Sequence, residues 1–259
     1  MPLPKSQPVG QTFGVAARQA MMYYAASALA WPYFYRYQHH RSLSVLDGLL
    51  WVRSYWRKLY YQRLEAGIQE DLSTSQSKRF FLVVLQSSVD SQMRVHSKYN
   101  SIEEFMQEVA ISFAAHAPQD CQLVFKHHPI DRGYSDYTQT VKRLNQELNL
   151  KGRVRYIHDQ HLPTLLTHAR GVVAVNSTVG FSALDHATPV KVTGKAIYDK
   201  EGLTFQGSLD EFWNASLTWQ PDLTLHEKFK NYLIANTQLN GSVYKPFPMA
   251  AAPGLASQQ

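Results

Sequence analysis

The clearest indication of the fold is the segment Gly171-Val-Val-Ala-Val-Asn-Ser-Thr-Val-Gly-Phe-Ser-Ala-Leu-Asp-His-Ala-Thr-Pro-Val-Lys-Val192. Its apolar run at 172–175 predicts a short strand of a parallel sheet, because such strands are buried on both faces. Residues 179–184 follow with a helical pattern, and residues 188–192 show the pattern of the next strand. A strand, a polar turn, a helix and a second strand are typical of α/β sheets that bind ligands beyond the carboxyl ends of their strands.

Three polar residues, Asn176, Ser177 and Thr178, form the turn between this strand and its helix. Serine and threonine hydroxyls favour helix N-caps, where free N–H groups and the helix dipole also attract anions. Gly180 would let a phosphate approach the backbone closely. An ordinary β–α turn with a capping hydroxyl accounts for the same residues, so the stretch alone leaves both interpretations open.

The apolar run at residues 80–85 predicts a further strand, and residues 122–125 and 154–157 are two more predicted strands. Helical patterns separate them, and strands that alternate with helices at this spacing predict a parallel, right-handed α/β sheet. We expect helices at residues 101–115, 136–148, 162–169, 209–213 and 225–236 in this part of the chain. Upstream, the pattern predicts one helix at residues 13–30 and a second, uninterrupted helix from about residue 43 to residue 72.

Composition limits the class of protein. The chain has 259 residues, of which 44% are apolar, and this is enough for a substantial core. Its one cysteine, Cys121, excludes an internal disulfide framework and a cysteine-based zinc site. We expect a cytosolic protein, because the sequence has neither a secretory signal pattern nor a run of about 18 uncharged apolar residues.

The N-terminal quarter carries the basic charge of the chain. Residues 1–64 hold eight Lys and Arg residues and a single acid, Asp47, and many aromatic residues are interspersed among these cations. This composition suits a membrane surface with anionic lipids or single-stranded nucleic acid. A helix pair that packs its rings on the main domain and exposes its cations is a third interpretation.

We therefore expect four regions along the chain. They are a disordered tail at 1–12, a basic aromatic helical segment at 13–77, a Rossmann-like domain at 78–245 and a disordered tail at 246–259. The boundary is placed at the polar linker Ser73-Thr-Ser-Gln-Ser77, which separates the helical segment from the first predicted strand.

Polar residues collect where the predicted strands end. Lys126, His127 and His128 end the second strand, and Pro129 would fix the loop that follows them. Asp90 lies in the polar loop after the first strand. Because the carboxyl ends of parallel strands share one edge, a lysine and a histidine would meet a phosphate held by the Asn-Ser-Thr turn.

Common alternatives find no support in the motifs. The chain has no G-x-G-x-x-G, no G-x-x-x-x-G-K-[ST] and no G-x-S-x-G, which argues against a dinucleotide site, a P-loop and a hydrolase elbow. Histidines 127, 128, 158 and 161 are conceivable metal ligands, but no carboxylate pattern accompanies them.

Several motifs in one order resemble a known family. They are Leu85-Gln-Ser-Ser-Val-Asp-Ser-Gln-Met-Arg-Val-His96, Lys126-His-His-Pro-Ile-Asp-Arg-Gly133, Tyr156-Ile-His-Asp-Gln-His-Leu-Pro163, Val175-Asn-Ser-Thr-Val-Gly-Phe-Ser-Ala-Leu184 and Gly202-Leu-Thr-Phe-Gln-Gly-Ser-Leu-Asp-Glu-Phe-Trp213. Together they resemble the bacterial capsule polysaccharide synthesis proteins of the KpsS/LipB type, which are β-Kdo glycosyltransferases.

The resemblance implies a GT-B-like fold, of which this chain is mainly the C-terminal Rossmann-like half. It implies transfer of the octulosonic acid sugar Kdo from CMP-Kdo to a phosphatidylglycerol-type lipid, without a metal, at the cytoplasmic face of the inner membrane. Partners implied are CMP-Kdo, that lipid, the membrane surface and other capsule-assembly proteins, and no nucleic acid. Most of the N-terminal half expected for the family is missing from this sequence, which makes a non-catalytic fragment that binds CMP or a partner the alternative.

The same resemblance assigns roles to individual residues. Asp90 matches the nucleophile of a retaining double displacement, and His128 belongs with it to the catalytic centre. Lys126 and His128 match the residues that meet the CMP phosphate and the sugar carboxylate, with Pro129 in the same motif. Ser177 and Thr178 match the phosphate-binding turn of the family, and the resemblance associates His127, Arg132 and Asn176 with the same site. Gly180 completes the predicted CMP-sugar site through the close approach of the phosphate to the backbone.

Overall fold

The computed structural model describes residues 13–36, 45–87 and 97–237. The chain divides into two compact units, of which one is Val52–His226 and the other joins Met1–Trp51 to Glu227–Gln259. The linker predicted at residues 73–77 lies inside the Val52–His226 unit. The tails predicted at residues 1–12 and 246–259 lie outside the described residues.

A parallel sheet forms the centre of the Val52–His226 unit. The described residues give it five strands: β1 (Phe80–Val84), β2 (Gln122–Lys126), β3 (Val154–Ile157), β4 (Gly171–Ala174) and β5 (Val190–Val192). Their order across the sheet is β3-β2-β1-β4-β5, and every neighbouring pair is parallel. The predicted α/β class with a parallel, Rossmann-like sheet is confirmed, and each predicted strand agrees with an observed one to within two residues at either end.

Helices alternate with these strands as the sequence predicts. In the described ranges they are α1 (Phe13–Ala30), α2 (Val45–Leu64), α3 (Ile68–Ser73), α4 (Ile102–His116), α5 (Thr138–Glu147), α6 (Leu162–His168), α7 (Thr178–Leu184), α8 (Leu209–Ala215) and α9 (Leu223–Thr237). A short 3-10 helix at Pro129–Gly133 follows β2. None of these helices has both the length and the apolarity that crossing a bilayer requires.

The single long helix predicted upstream of the sheet is wrong. The chain forms α2 and α3 instead, because Gly67 has a φ of 83°, in the left-handed region that a continuous helix does not contain. The intervening turn allows the buried Glu65 carboxylate to point toward the end of β3, where it contacts His158. A tertiary contact thus replaces the continuation of the helix.

The core lies on both faces of β1, whose five side chains are all buried. On one face Phe81 meets Trp213 edge-to-face, with ring centroids 4.8 Å apart, and Phe113 packs on the same indole at 5.4 Å. Gly171 begins β4 where a side chain would collide with Phe212, since an added Cβ would lie 2.8 Å from that ring. This packing holds β4 directly beside β1.

The strand order places a topological switch point between β1 and β4. From β1 the chain continues outward through β2 to β3, and it then returns to the other side of β1 to form β4 and β5. The connections that leave β1 and β4 therefore diverge, and a crevice is expected beyond the carboxyl ends of these strands. Ligands of doubly wound sheets bind at such a position.

Candidate functional site

An amide pair spans the switch point. Gln86, just beyond β1, donates from Nε2 to Oδ1 of Asn176, just beyond β4, at 2.7 Å. The backbone N–H of Asn176 donates back to Gln86 Oε1 at 3.4 Å. Gln86 is buried and Asn176 is half-buried, so the pair forms the floor of the crevice. Asn176 therefore lies where the sequence predicts, and its side-chain oxygen holds the neighbouring strand.

The next residue along the chain is fixed to the opposite neighbour of β1. The hydroxyl of Ser87 donates to Oδ1 of Asp131 at 2.6 Å, and both residues are buried. Asp131 belongs to the 3-10 helix after β2. Gln86 and Ser87 thus tie the end of β1 to both adjacent strands, immediately before residues 88–96. Asp90, the predicted nucleophile, lies in that range, outside the described residues.

His128 and Pro129 form the rim of the crevice on the β2 side. His128 caps the 3-10 helix, because its Nδ1 accepts from the N–H of Ile130 at 3.3 Å. Pro129 occupies the first position of this helix, where its missing N–H costs no hydrogen bond. The imidazole of His128 is half-buried, so a solute in the crevice has access to it.

The turn after β4 provides the opposite rim. Ser177 caps α7, with its hydroxyl oxygen accepting from the N–H of Val179 at 3.2 Å, and the adjacent Thr178 is exposed. Gly180 is buried, and an added Cβ would overlap the hydroxyl of Tyr198. That hydroxyl donates to the carbonyl of Ser177. The structure therefore gives Gly180 a packing function that the sequence does not reveal, namely room for the tyrosine that holds the turn.

Lys126 and His127 lie beneath this edge, where Lys126 Nζ and His127 Nδ1 are hydrogen-bonded within the protein and His127 Nε2 is buried without a hydrogen-bond partner among the described residues. Lys126 Nζ donates to the carbonyl oxygen of His158 at 2.8 Å, and burial lowers the pKa of this amine. His127 is 2% exposed, and its Nδ1 lies 2.6 Å from the hydroxyl of Tyr156. Burial lowers the pKa of His127 to about 3, so its imidazole is neutral at physiological pH. Both residues connect the ends of β2 and β3.

A second buried cluster, which the sequence patterns do not predict, lies at the end of β3. Glu65 Oε1 lies 2.5 Å from His158 Nδ1, and Glu65 Oε2 accepts from the backbone N–H of His158 at 3.0 Å and from Gln160 Nε2 at 3.0 Å. Burial alone would raise the pKa of Glu65, but these hydrogen bonds hold it below its ordinary value. Tyr61 stacks on His158, with ring centroids 3.4 Å apart. Local sequence patterns do not predict this cluster, because Glu65 and His158 are 93 residues apart in the chain.

Histidines 127, 128, 158 and 161 are the conceivable metal ligands near this edge of the sheet. Within the described ranges no three His, Cys, Asp or Glu side chains are grouped so as to hold a metal ion. The imidazoles of His127 and His158 contact Tyr156 and Glu65 instead, and Nδ1 of His161 lies 2.9 Å from the hydroxyl of Thr164.

Comparison with known proteins places the chain among capsule proteins. The family model described as "Capsule polysaccharide biosynthesis protein" matches residues 2–244. The capsule polysaccharide export protein KpsS of Escherichia coli is 44% identical over 229 residues, which are 87% of this chain and 58% of KpsS. The capsule polysaccharide modification protein LipB of Neisseria meningitidis serogroup A is 39% identical over 239 residues, which are 92% of this chain and 57% of LipB.

The chain thus spans somewhat more than half the length of these two relatives. Among solved structures, KpsC of Thermosulfurimonas dismutans, a beta Kdo 2,7 transferase, is similar at 21% identity and a TM-score of 0.38. The similarity covers 63% of this chain and 56% of KpsC. The family model, which matches nearly the whole chain, assigns it: the protein belongs to the capsule polysaccharide biosynthesis protein family.

Proposed function

We propose that this chain carries the nucleotide-sugar site of a capsule glycosyltransferase of GT-B-like fold, with the nucleotide bound at the crevice between β1 and β4. The observation that carries the proposal is the amide pair of Gln86 and Asn176 at the switch point. Half-buried His128 and exposed Thr178 flank this pair on its two sides. A crevice with polar groups on both rims at this place in a doubly wound sheet is the usual position of a nucleotide.

The rims suit a nucleoside monophosphate. The exposed hydroxyl of Thr178 and the imidazole of His128 would share the hydrogen bonding of the phosphate, without a resident metal. Lys126 and His127 would act indirectly, by holding the ends of β2 and β3 in place through their internal hydrogen bonds. Membership of the family and the motifs around these residues support CMP-Kdo as the donor.

The proposed reaction transfers Kdo to a phosphatidylglycerol-type lipid with retention of configuration. The carboxylate of Asp90 attacks the anomeric carbon while the bond to the CMP phosphate oxygen breaks, which gives a glycosyl-enzyme and free CMP. A hydroxyl of the lipid then attacks the same carbon, loses its proton and displaces the carboxylate. Two inversions leave the β configuration of the donor unchanged.

A second candidate function is the binding of CMP or a capsule-assembly partner without turnover. The observation that fits it is that the match covers 58% of KpsS and 57% of LipB, and not their whole length. Both candidates place the nucleotide at the same crevice.

A Kdo-transfer assay on phosphatidylglycerol vesicles, combined with CMP calorimetry, tests the proposal. We expect product from the wild-type chain, a loss of at least about a thousandfold in Asp90→Asn and unchanged CMP affinity in that variant. Asp120→Asn, which alters an exposed aspartate at another place, should retain full activity. CMP binding without product would favour the second candidate, and full turnover by Asp90→Asn would rule out the nucleophile assignment.

A further inference from the structure

Helix α2 has its polar contacts on the side that faces the protein and apolar side chains on the side that faces outward, unlike an ordinary surface helix. Within the Val52–His226 unit, the side of α2 that faces the protein is polar: Ser54 accepts from Arg132 at 3.4 Å, and Arg57 donates to the carbonyls of Arg132 and Ser135. Tyr61 continues this face one turn later, 7% exposed, and stacks on His158. Hydrogen bonds and ring stacking, rather than an apolar stripe, hold this part of the helix in place.

The outward face of the same turns is apolar. Trp56 is 65% exposed, Tyr60 59%, Val52 55% and Tyr55 50%. Positions three or four residues apart share one side of a helix, so these four side chains form a continuous stripe. Of the four aromatic residues between positions 52 and 64, three are exposed and one, Tyr61, packs on the domain. This part of α2 therefore leaves most of its rings exposed, unlike a helix that packs its rings on the domain.

The charged residues beside this stripe are all basic. Arg53 and Arg63 are exposed, and Arg63 follows Trp56 and Tyr60 on the same side of the helix. No acidic residue occurs between positions 48 and 64 of the chain. A surface that is apolar, rich in tyrosine and tryptophan, and basic complements an anionic lipid headgroup layer, where aromatic rings lie at headgroup level and cations meet phosphate.

We propose that the outward face of α2, formed by Val52, Tyr55, Trp56 and Tyr60 with Arg53 and Arg63, binds an anionic bilayer surface. From residue 52 to residue 63 this face is about 17 Å long, which suits a helix that lies in the plane of the interface. Arg57, on the inner face, holds the 3-10 helix that begins with Pro129. Docking through α2 would therefore bring the β2 rim of the crevice close to the lipid. The proposal does not depend on the identity of the sugar or on turnover.

Vesicle sedimentation of the full chain tests the proposal. We expect binding to vesicles of phosphatidylcholine with about a third phosphatidylglycerol, and at least tenfold weaker binding to phosphatidylcholine alone. The variant Tyr55→Ser/Trp56→Ser/Tyr60→Ser should lose about tenfold or more in partitioning, and Arg53→Gln/Arg63→Gln should lose most of the preference for phosphatidylglycerol. Two matched controls, Ile197→Ser/Leu217→Ser and Lys142→Gln/Lys151→Gln, change exposed side chains elsewhere and should bind like the wild type.

A labelled cysteine reports the contact directly. The only native cysteine, Cys121, is 1% exposed, so Tyr60→Cys can be labelled with a polarity-sensitive fluorophore. We expect a blue shift on phosphatidylglycerol vesicles for this label and none for a label at Ile197→Cys. Three results would each overturn the proposal: no sedimentation of the wild type, equal sedimentation of the aromatic variant, or oligonucleotide binding through the stripe without vesicle binding.

Discussion

Gln86 and Asn176 are 90 positions apart in the chain, yet their side-chain amides meet at 2.7 Å across the switch point of the sheet. The pair joins the ends of the two strands whose connections diverge to form the crevice. Because the amide of Gln86 is bound to Asn176, the groups that face a ligand are expected on the rims, at His128 and Thr178. The pair thus acts as a positioning element for the candidate site.

Removal of one partner should destabilise the fold. Asn176→Ala leaves the buried Nε2 of Gln86 without its acceptor, and we expect a loss of about 1–3 kcal/mol in the free energy of unfolding. Urea denaturation measures this loss. Asn214→Ala, a change at an exposed asparagine on α8, should cost less than about 0.5 kcal/mol. Equal losses in the two variants would contradict the positioning role of the pair.

Much of the fold follows from local sequence patterns. The apolar runs predict β1 and β4, because a strand buried on both faces needs apolar side chains at successive positions. Helical periodicity does not predict the break between α2 and α3. The turn at Gly67 is accompanied by a contact between Glu65 and His158, which are 93 residues apart in the chain. Helical periodicity carries no information about a partner so far away in the chain.

Part of the candidate site is also predictable from the sequence, and part depends on tertiary contacts. The sequence shows that polar residues follow the strands, such as His128 after β2 and Asn176 after β4. Gln86 was accessible by the same rule, because it closely follows β1. The burial of Lys126 and His127 is not accessible, because Tyr156 and the carbonyl of His158, which bind them, come from the neighbouring strand and its end.

Acid should destabilise the protein through His127. Burial lowers the pKa of His127 from 6.5 to about 3, so between these pH values the unfolded chain binds a proton that the folded chain does not. This effect on the free energy of unfolding is therefore absent above pH 6.5. As the pH falls from 6.5 toward 3, the free energy of unfolding decreases by up to about 1.4 kcal/mol per pH unit. Urea denaturation from pH 7.5 down to about pH 5 should show a smaller decline in His127→Gln than in the wild type.

A side chain that does not titrate provides the control for this slope. Gln139 is exposed on α5, and Gln139→Ala should lose stability with falling pH as the wild type does. Parallel curves for His127→Gln and the wild type would show that the buried imidazole does not contribute to the pH dependence.

The contact of Gly180 with Tyr198 predicts a non-additive pair of substitutions. Gly180→Ala places a methyl group against the tyrosine hydroxyl, and we expect a loss of about 1–3 kcal/mol in the free energy of unfolding. Tyr198→Phe removes the overlapping oxygen, so the double variant should lose less than the sum of the single losses. Thermal and urea unfolding of the four proteins measure this difference. Strictly additive losses would mean that the two residues do not constrain each other.

Nucleotide binding between the rims of the crevice can be measured by a calorimetric titration of the full chain with CMP. We predict saturable binding that weakens about tenfold in His128→Ala and in Thr178→Ala, on opposite rims, and stays unchanged in His116→Ala. Circular dichroism verifies that each variant is folded. A folded wild-type chain that does not bind CMP, or rim variants that bind it as tightly as the wild type, would show that the crevice is not the nucleotide site.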